Sequence, residues 1–581
     1  MRKIIIAITL ILTLTAVPYG NGTFGEAFGA VRYMPDVTPE MSQASYWADR
    51  TNDPDTVLVT PEYIKEVNQQ IYERSSQTRD LSKWSQETYD GIEQNELNES
   101  SLRADGYSYA MSDIGWWWDE ENKKWSSKDA MGHIYEPIIA NGIDPEATEN
   151  MPVKYAICTT RTCMQGFPSD YPLWDDPTDP DFDYLYHTMI RVNEPLILKS
   201  RSADGKYYLA LSTGISGWIP AKDVAICANR EEWLDAWYTD DVLVVWDDKI
   251  YTEDSNFAPQ TANRKLPMGT RLPLASEEDI QGRINNRTAH NNHVVWMPVR
   301  NDDGSFSKEL ALIGENRKVS EGYLPLTTAN ILKVALCQLG DAYGWGGMMG
   351  TEDCSGFMRD VYACFGLDLP RNVSRNNGVC KGWSLEGMTD EDKAAFIRQL
   401  PPGTILTFSG HEMMYLGQEG DKLYVISSVS NVRMPGDNFN TRIRGGVINT
   451  LDIWRGTNTT WLHNLNMAQV PYCLMEAGPW LANPVKAAGK TVRVKAGKTN
   501  TIAAKKSMKI TGQVGTLTYT KVKVDKKKYA KKFTINKNTG KITVKKGVKK
   551  GTYKMIVRVN AAGNEIYRAG TAKAVIKIVV K

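Results

Sequence analysis

The chain has 581 residues, of which 42% are hydrophobic and 24% are charged. This composition excludes a disordered or collagen-like chain, and the length predicts about four structural units instead of a single core. The net charge of +1 conceals an asymmetry. Residues 486–581 hold 24 Lys and 3 Arg against Asp525 and Glu565, a net of +25, whereas the first 485 residues carry 42 basic and 66 acidic side chains, a net of −24. Two oppositely charged parts therefore share one chain.

The N-terminus has the pattern of an export signal. Arg2 and Lys3 precede an apolar run over residues 4–17, which ends at Pro18. The run is too short to cross a bilayer comfortably, and no later stretch of about 18 apolar residues follows. We expect residues 1–22 to be a signal peptide and the mature protein to be secreted without a transmembrane span. A buried strand or a short anchor is the alternative.

Residues 23–150 form a polar, acidic and aromatic region. Apolar positions at helical spacing predict a helix over Pro61–Tyr72, and the Trp116–Trp118 cluster is better explained by local packing than by ligand binding. From residue 153 the pattern changes to short strands separated by turn residues. That pattern is typical of small barrels, which we place at residues 151–232 and 233–325.

A third type of unit begins near residue 326. Thr327–Leu339 has one apolar helical face, a glycine-rich loop follows, and a second amphipathic helix starts at Cys354. Strand patterns come after these helices, so residues 326–478 are predicted to form an α+β domain. The last block, residues 487–581, alternates Lys with Val, Ile and Thr, which predicts a β-sandwich. The predicted fold class is multidomain, with all-β barrels, an α+β domain and a C-terminal β-sandwich.

The eight cysteines are too sparse for a disulfide scaffold. Cys158 and Cys163 are the best candidates for a pair, with unpaired strand residues as the alternative. No CxxC motif or histidine cluster offers a zinc ligand set, so we predict no metal and no cofactor.

Cys354 is the candidate nucleophile. It stands at the start of a predicted amphipathic helix, where the helix dipole favours a thiolate and can lower the thiol pKa. Backbone N–H groups at that position can also stabilise an oxyanion. The base should be an imidazole, and His411 at the start of a predicted strand is the best placed. A small buried hydrophobe is the alternative for a helical cysteine, and it fits Cys337 and Cys364 well.

Several motifs then carry a resemblance to a known family. The segments YGWGG (343–347), DCSGF (353–357), LPRN (369–372) and GHEMMYLG (410–417) resemble the NlpC family of papain-like cell-wall cysteine endopeptidases. Residues 154–162 and GWIP (217–220) resemble the bacterial SH3-like domain of one subgroup. SYW (45–47) and TPE (60–62) resemble that subgroup's N-terminal stabilising segment. The final block resembles the Ig-like repeats of secreted bacterial proteins more weakly.

The resemblance implies a role for each matched residue. Cys354 would attack a γ-D-glutamyl amide, and His411 would act as the base and later protonate the departing amine. Tyr343 would lie beside the thiol and bond to the substrate or its oxyanion. Asp353 would bind the free α-amine of the first L-Ala of the stem peptide, and Ser355 would add a hydrogen bond to that peptide.

The third catalytic position departs from the family, which usually places a histidine there. The motif aligns Ser427 with that position, and Asn431 is the alternative if the strand register differs. A hydroxyl can accept the imidazole N–H but stabilises an imidazolium less than a carboxylate does. An ordinary polar strand residue is the other interpretation of Ser427.

The predicted function is that of a secreted, wall-associated cysteine endopeptidase that cleaves the D-γ-glutamyl–diamino acid bond of peptidoglycan stem peptides. A catalytically impaired wall-binding or adhesion protein is the alternative, and an amidase of the sugar–peptide link ranks below both. The basic C-terminal block predicts retention on anionic wall polymers such as teichoic acids, with no specific nucleic-acid binding. Its lysines would otherwise serve only to keep an exposed sheet soluble.

Overall fold

A computed structural model of the chain describes residues 31–75, 78–90, 116–118, 121–130, 132, 154–170, 172–372, 380–456, 458–475, 478, 483, 485–564 and 566–581. The predicted signal peptide and much of the acidic N-terminal region lie outside these residues. Within them, strands outnumber helices and form many separate sheets, so the predicted multidomain, strand-rich fold class is confirmed. No helix in these ranges is both long and apolar enough to span a membrane.

The N-terminal region packs against the α+β unit. The predicted helix is present as Pro61–Arg74, and Thr60 caps it by accepting a hydrogen bond from the Tyr63 N–H at 3.3 Å. Asn68 of this helix donates to the Gly366 carbonyl at 2.7 Å. The remaining elements are short helical turns at Pro39–Ser42, Ala44–Ala48, Leu81–Lys83, Gln86–Asp90 and Ser127–Ala130 and strands at Trp116–Trp118 and Lys124–Ser126, which pair with each other.

The first β unit is a seven-stranded antiparallel sheet. Its spatial order is Tyr186–Ile190, Thr162–Gln165, Ser216–Pro220, Tyr207–Leu211, Pro195–Arg201, Lys154–Cys158 and Val224–Ile226. A short 3₁₀ turn spans Ala221–Asp223, and the helix Arg230–Trp237 follows the sheet. Cys158 and Cys163 are both free, so the predicted pair is not formed. Their thiols donate instead to two different backbone carbonyls, those of Thr160 and Met164.

The second β unit consists of shorter sheets around one apolar cluster. The three-stranded sheet has the order Arg271–Pro273, Val242–Val245 and Val319–Glu321. Two hairpins complete the unit, Lys249–Tyr251 with Lys265–Pro267 and Asn292–Arg300 with Phe306–Gly314.

The α+β unit begins with two helices, as predicted, but two further helices lie between the strands of its sheet. The helices are Thr328–Ala335, Cys354–Ala363, Asp390–Ile397 and Trp461–Asn464, with 3₁₀ turns at Leu336–Gln338 and Trp345–Gly350. The six-stranded antiparallel sheet has the order Cys380–Ser384, Met467–Leu474, Ile405–Phe408, His411–Glu419, Lys422–Val432 and Thr441–Thr450, and Trp454–Arg455 pairs with Thr459–Thr460 beside it. Phe357 and Val361 of the helix Cys354–Ala363 share one buried cluster with Met414 and Ile426 of the sheet. This packing fixes the start of that helix against the strand that begins at His411.

The C-terminal unit is a sandwich of two sheets. A four-stranded sheet with the order Thr491–Val494, Gly570–Val580, Gly551–Ala561 and Leu517–Val524 shares one apolar core with a three-stranded sheet of Asn500–Ile502, Ile542–Val544 and Phe533–Ile535. Lys486–Gly489 pairs with Met508–Thr511, and helical turns lie at Ala504–Ser507 and Lys527–Lys532.

The sandwich is docked onto the α+β unit through the loop before its last strand. Ile566 is fully buried in a cluster that otherwise belongs to the α+β unit. Tyr567 Oη donates to the Gln399 carbonyl at 2.8 Å, and Asn564 Nδ2 donates to Gln399 Oε1 at 3.0 Å.

Candidate active site

Cys354 is the first residue of the helix Cys354–Ala363, and its side chain is almost fully buried. Asp353 caps this helix, because its Oδ1 accepts a hydrogen bond from the Gly356 N–H at 2.9 Å. Asp353 Oδ2 also accepts from the Gly346 N–H at 3.0 Å, which ties the glycine-rich loop to the helix start. The sequence thus positions the thiol through a cap and a loop that share one carboxylate.

The glycine-rich loop needs glycine because it lies directly against the first β unit. Gly346 and Gly347 have φ values of 56° and 85°, which L side chains rarely adopt. A Cβ on Gly346 would come within 2.4 Å of the Tyr186 carbonyl oxygen, and one on Gly347 within 2.0 Å of the Met189 side chain. The two units therefore meet beside Cys354.

Arg371 connects the helix start to the first β unit. Its guanidinium donates to Asp353 Oδ2 at 2.6 Å, to Ser355 Oγ at 2.6 Å and to Thr188 Oγ1 at 2.7 Å. Ser355 Oγ also donates to Asp353 Oδ1 at 3.3 Å. Each carboxylate oxygen of Asp353 therefore has two donors. Burial acts to raise the pKa of Asp353, but the charge and hydrogen bond of Arg371 outweigh it, so this pKa lies below its ordinary value.

His411 is the first residue of its strand and meets Ser427 on the next strand. The His411 Nε2 to Ser427 Oγ distance is 3.1 Å, and both side chains are buried. The imidazole is packed between Phe408 and Trp461, with ring centroids 5.5 and 5.0 Å away. Asn431 is exposed, and its side-chain amide donates to Ser430 Oγ at 3.1 Å instead of bonding to the imidazole. Ser427 is therefore the residue that holds the histidine ring.

Cys354 lies beside the start of the His411 strand, where the backbone of Glu412 acts to lower the pKa of the thiol. Burial, together with the charges of Asp353 and Glu412, raises the pKa of the Cys354 thiol to about 12. Burial, together with the charge of the Arg455 guanidinium, lowers the pKa of His411 to about 3. The low thiol pKa that the helix start predicts is thus wrong for the free protein, because burial outweighs the favourable dipole. Burial thus favours the uncharged forms of both Cys354 and His411.

Tyr343 forms one wall of the site together with the first β unit. It is buried, and its ring stacks on Phe182 at 5.7 Å between centroids with an interplanar angle of 16°. Burial and the neighbouring Cys354 and Asp353 raise its pKa, so the phenol stays protonated and can donate a hydrogen bond. Arg444 lies over the Phe182 ring at 4.3 Å and completes this wall.

Buried ion pairs hold the same two units together. Arg161 of the first β unit pairs with Glu352, which lies just before the Cys354 helix. Arg191 of the same unit pairs with Asp360, which lies within that helix. Burial raises the pKa of Glu352 to about 7, and the Arg161 charge opposes that shift. The wall beside Cys354 is therefore built from charged as well as aromatic contacts.

Arg455 is a site residue that the sequence motifs do not reveal. Its Nη2 donates to the Ser409 carbonyl at 2.7 Å, and its guanidinium lies 4.4 Å from the Phe408 ring centroid. Its charge acts on both Cys354 and His411, while the side chain remains exposed to solvent. Arg371, in contrast, lies within a quoted motif, but only the fold shows that it binds Asp353.

Family models match two parts of the chain. The NlpC/P60 family matches residues 340–442, and the SH3 domain of SH3b1 type matches residues 172–220. Two curated relatives bear the name gamma-D-glutamyl-L-lysine dipeptidyl-peptidase. The one from Bacillus cereus is 27% identical over 208 residues, which cover 35% of this chain and 54% of the relative. The one from Bacillus subtilis is 24% identical over 146 residues, covering 23% and 49%.

The chain thus spans about half the length of these curated relatives. Among solved structures, an NlpC/P60 endopeptidase from Photobacterium damselae subsp. piscicida is 17% identical. It matches 74% of this chain and 97% of its own, with a TM-score of 0.58, which shows a shared fold. Cys354, His411 and Ser427 all fall inside the family match. Residues 340–442 are therefore similar to the NlpC/P60 family, and residues 172–220 before them are similar to SH3 domains of SH3b1 type.

Proposed function

We propose that this chain is a wall-associated cysteine endopeptidase that hydrolyses the bond between D-γ-glutamate and the diamino acid of peptidoglycan stem peptides. The observation that carries the proposal is the buried contact of His411 with Ser427 beside the thiol of Cys354, within an NlpC/P60 domain. The names of the two curated relatives support the γ-D-glutamyl bond as the target. Secretion is proposed from the N-terminal sequence pattern.

In this proposal the Cys354 sulfur attacks the amide carbonyl while His411 takes the thiol proton. The contact of Nε2 with Ser427 leaves Nδ1 for the thiol, and the same nitrogen later protonates the departing amine. The resulting thioester is hydrolysed by a water that His411 deprotonates. Backbone N–H groups at the helix start and the protonated Tyr343 stabilise the oxyanion.

The contacts of Asp353 support a capping role in place of the predicted ammonium-binding role. A carboxylate has about four acceptor positions, and four donors already occupy those of Asp353: Gly346, Ser355, Gly356 and Arg371. Ser355 is likewise held by Arg371. We therefore propose that both residues position Cys354 for attack.

We propose that the Arg455 guanidinium donates hydrogen bonds to the substrate's free carboxylate. A γ-linked glutamate keeps its α-carboxylate free, three carbons away from the scissile carbonyl, and a cation beside Cys354 and His411 matches that charge. Neutralising Arg455 would also remove one influence that lowers the pKa of His411. Binding of the correct substrate would therefore make the imidazole a stronger base.

The first β unit limits which peptides reach the thiol. The Phe182 ring stacks on Tyr343, and the Tyr186 backbone and the Met189 side chain lie directly against Gly346 and Gly347 of the glycine-rich loop. This wall restricts the space beside the thiol, so we propose faster cleavage of free L-Ala-γ-D-Glu-diamino acid peptides than of intact sacculi.

Mass spectrometry of muropeptides incubated with the purified chain tests the proposal. The wild type should release the diamino acid from γ-D-glutamate, and Cys354→Ala should not. Cys337→Ala is the matched control, because Cys337 is a free thiol outside the site. Absence of cleavage by the wild type, or cleavage that persists in Cys354→Ala, would favour the impaired wall-binding protein.

A further inference from the structure

One face of the C-terminal sandwich carries six exposed cations. Strand alternation buries Tyr553, Met555 and Val557 in the core and turns their neighbours outward. The outward residues of the four-stranded sheet include six basic residues, and all six are exposed. We call these residues the basic sheet face: Arg493, Lys523, Lys554, Arg558, Lys573 and Lys577.

The strand register places like charges directly opposite each other on this face. Lys554 is paired with Lys577, and Arg558 with Lys573. Cross-strand pairs of like charge destabilise a sheet, so folding alone does not account for them. None of the ion pairs among the described residues involves the basic sheet face. Among the residues of 486–581 that the structure describes, Asp525 is the acidic one. Its side chain accepts a hydrogen bond from the Lys526 backbone N–H on the adjoining turn.

The spacing of these cations fits a flexible chain of phosphates. The two residues of each cross-strand pair, Lys554 with Lys577 and Arg558 with Lys573, form a row and lie about 5 Å apart. The two rows are four residues apart along the strands, which is a distance of about 13 Å. Val575 and Ile556 pair with each other between the rows. The outward residues between these rows include no aromatic ring on which a nucleic-acid base could stack. The face therefore matches a backbone of repeated negative charge better than a stacked nucleic acid.

We propose that the basic sheet face binds the phosphodiester polymer of a bacterial cell wall, of the teichoic-acid type. The choice of a wall polymer rests on the proposed function, whereas the polyanion chemistry rests on the sheet alone. The first 485 residues have a net charge of −24, so an anionic wall repels them and attracts the sandwich. Binding through this face therefore orients the whole chain on the wall.

The test compares two full-chain variants in the Cys354→Ala background, so that binding is measured without hydrolysis. The face variant is Lys554→Gln/Arg558→Gln/Lys573→Gln/Lys577→Gln. The control variant changes the same number of charges at the exposed turn residues 545, 546, 549 and 550, all lysines outside the four-stranded sheet. Co-sedimentation with purified walls that carry poly(glycerol phosphate) gives the affinity, and the same walls stripped of that polymer by hydrofluoric acid are the second arm.

Six phosphate contacts predict a slope of log affinity against log salt of about −4, using about −0.7 per charge for a flexible polyanion. Raising salt from 50 to 200 mM should then weaken binding of the parent and control about 300-fold. The face variant keeps two cations, so its loss over the same range should be about sevenfold. At the lower salt it should bind at least tenfold more weakly than the control, and thermal unfolding of the variant shows whether the sandwich remains folded.

Several results would overturn the proposal. Equal losses in the face and control variants would show that only net charge matters, and unchanged binding to stripped walls would exclude the polymer. Tighter binding to duplex DNA than to the polymer at 150 mM salt would assign the face to nucleic acid. Face-dependent dimerisation in sedimentation velocity would assign it to a second copy. A failed cleavage assay would leave these outcomes unaffected, because no arm measures hydrolysis.

Discussion

Replacement of Arg371 by glutamine should destabilise the α+β unit strongly. The guanidinium is buried, and it binds the Asp353 carboxylate at 2.6 Å in addition to Ser355 and Thr188. Removing one partner of a buried ion pair costs about 3–5 kcal/mol, because the remaining charge stays buried without its counterion. For a domain of this size, each kcal/mol lowers the melting temperature by about 2–4 °C. The expected loss at pH 7 is therefore about 6–20 °C.

The pH dependence of stability should change as well. With Arg371 present, the folded-state pKa of Asp353 lies below its ordinary value. The pair therefore stabilises the fold above the unfolded pKa of about 3.9, and this stabilisation is lost as pH falls through the folded pKa. Without Arg371, burial raises the Asp353 pKa, so the variant loses stability as pH rises above about 4. The difference in melting temperature should thus grow between pH 4 and pH 7.

Differential scanning calorimetry at one scan rate measures these midpoints. The double variant Asp353→Asn/Arg371→Gln removes both charges and keeps a capping oxygen, so it should lose less than half as much as Arg371→Gln alone. If both variants lose the same amount, or if the loss does not depend on pH, then the ion pair is not what stabilises the helix start.

Three further predictions concern the site and one concerns the docked sandwich. Ser427→Ala should lower kcat about 10–150-fold with little change in KM, since a hydrogen bond to a charged imidazole contributes about 1.5–3 kcal/mol. Ser427→Asn should restore much of the lost kcat. An unchanged kcat in Ser427→Ala would exclude a positioning role for Ser427. Alkylation of Cys354 by iodoacetamide should rise continuously from pH 6 to pH 9, because burial raises its pKa; a plateau below pH 7 would contradict this. Arg455→Gln should lower the ratio of kcat/KM for D-glutamate peptides to kcat/KM for D-isoglutamine peptides about tenfold. An unaltered ratio would refute carboxylate binding by Arg455. Ile566→Ala should cost about 2–5 kcal/mol in thermal unfolding, whereas exposed Val575→Ala should cost less than about 0.5 kcal/mol; equal costs would show that the docking loop is not packed.

The local patterns predicted most of the elements that carry the site. The helix Pro61–Arg74 follows its cap and apolar spacing, and the helix at Cys354 follows the Asp353 cap and an apolar face. These features depend on neighbours within a few residues, so the sequence contains them directly. The prediction of a disulfide between Cys158 and Cys163 was wrong, because both thiols are free. Sequence spacing alone does not show that each thiol donates to a different backbone carbonyl.

The amino-acid sequence by itself determined the fold class, the charge asymmetry and the identities of Cys354, His411 and Ser427 as candidates. Only the tertiary structure decided that Ser427, and not Asn431, meets the imidazole, because a contact across two strands depends on their register. The tertiary structure also decided that Arg371 binds the Asp353 carboxylate and that Arg455 lies beside the site. It decided as well that burial favours the protonated form of the Cys354 thiol. Charges and pKa values respond to groups brought together from distant parts of the chain and to the water that packing excludes, and neither can be read from local sequence.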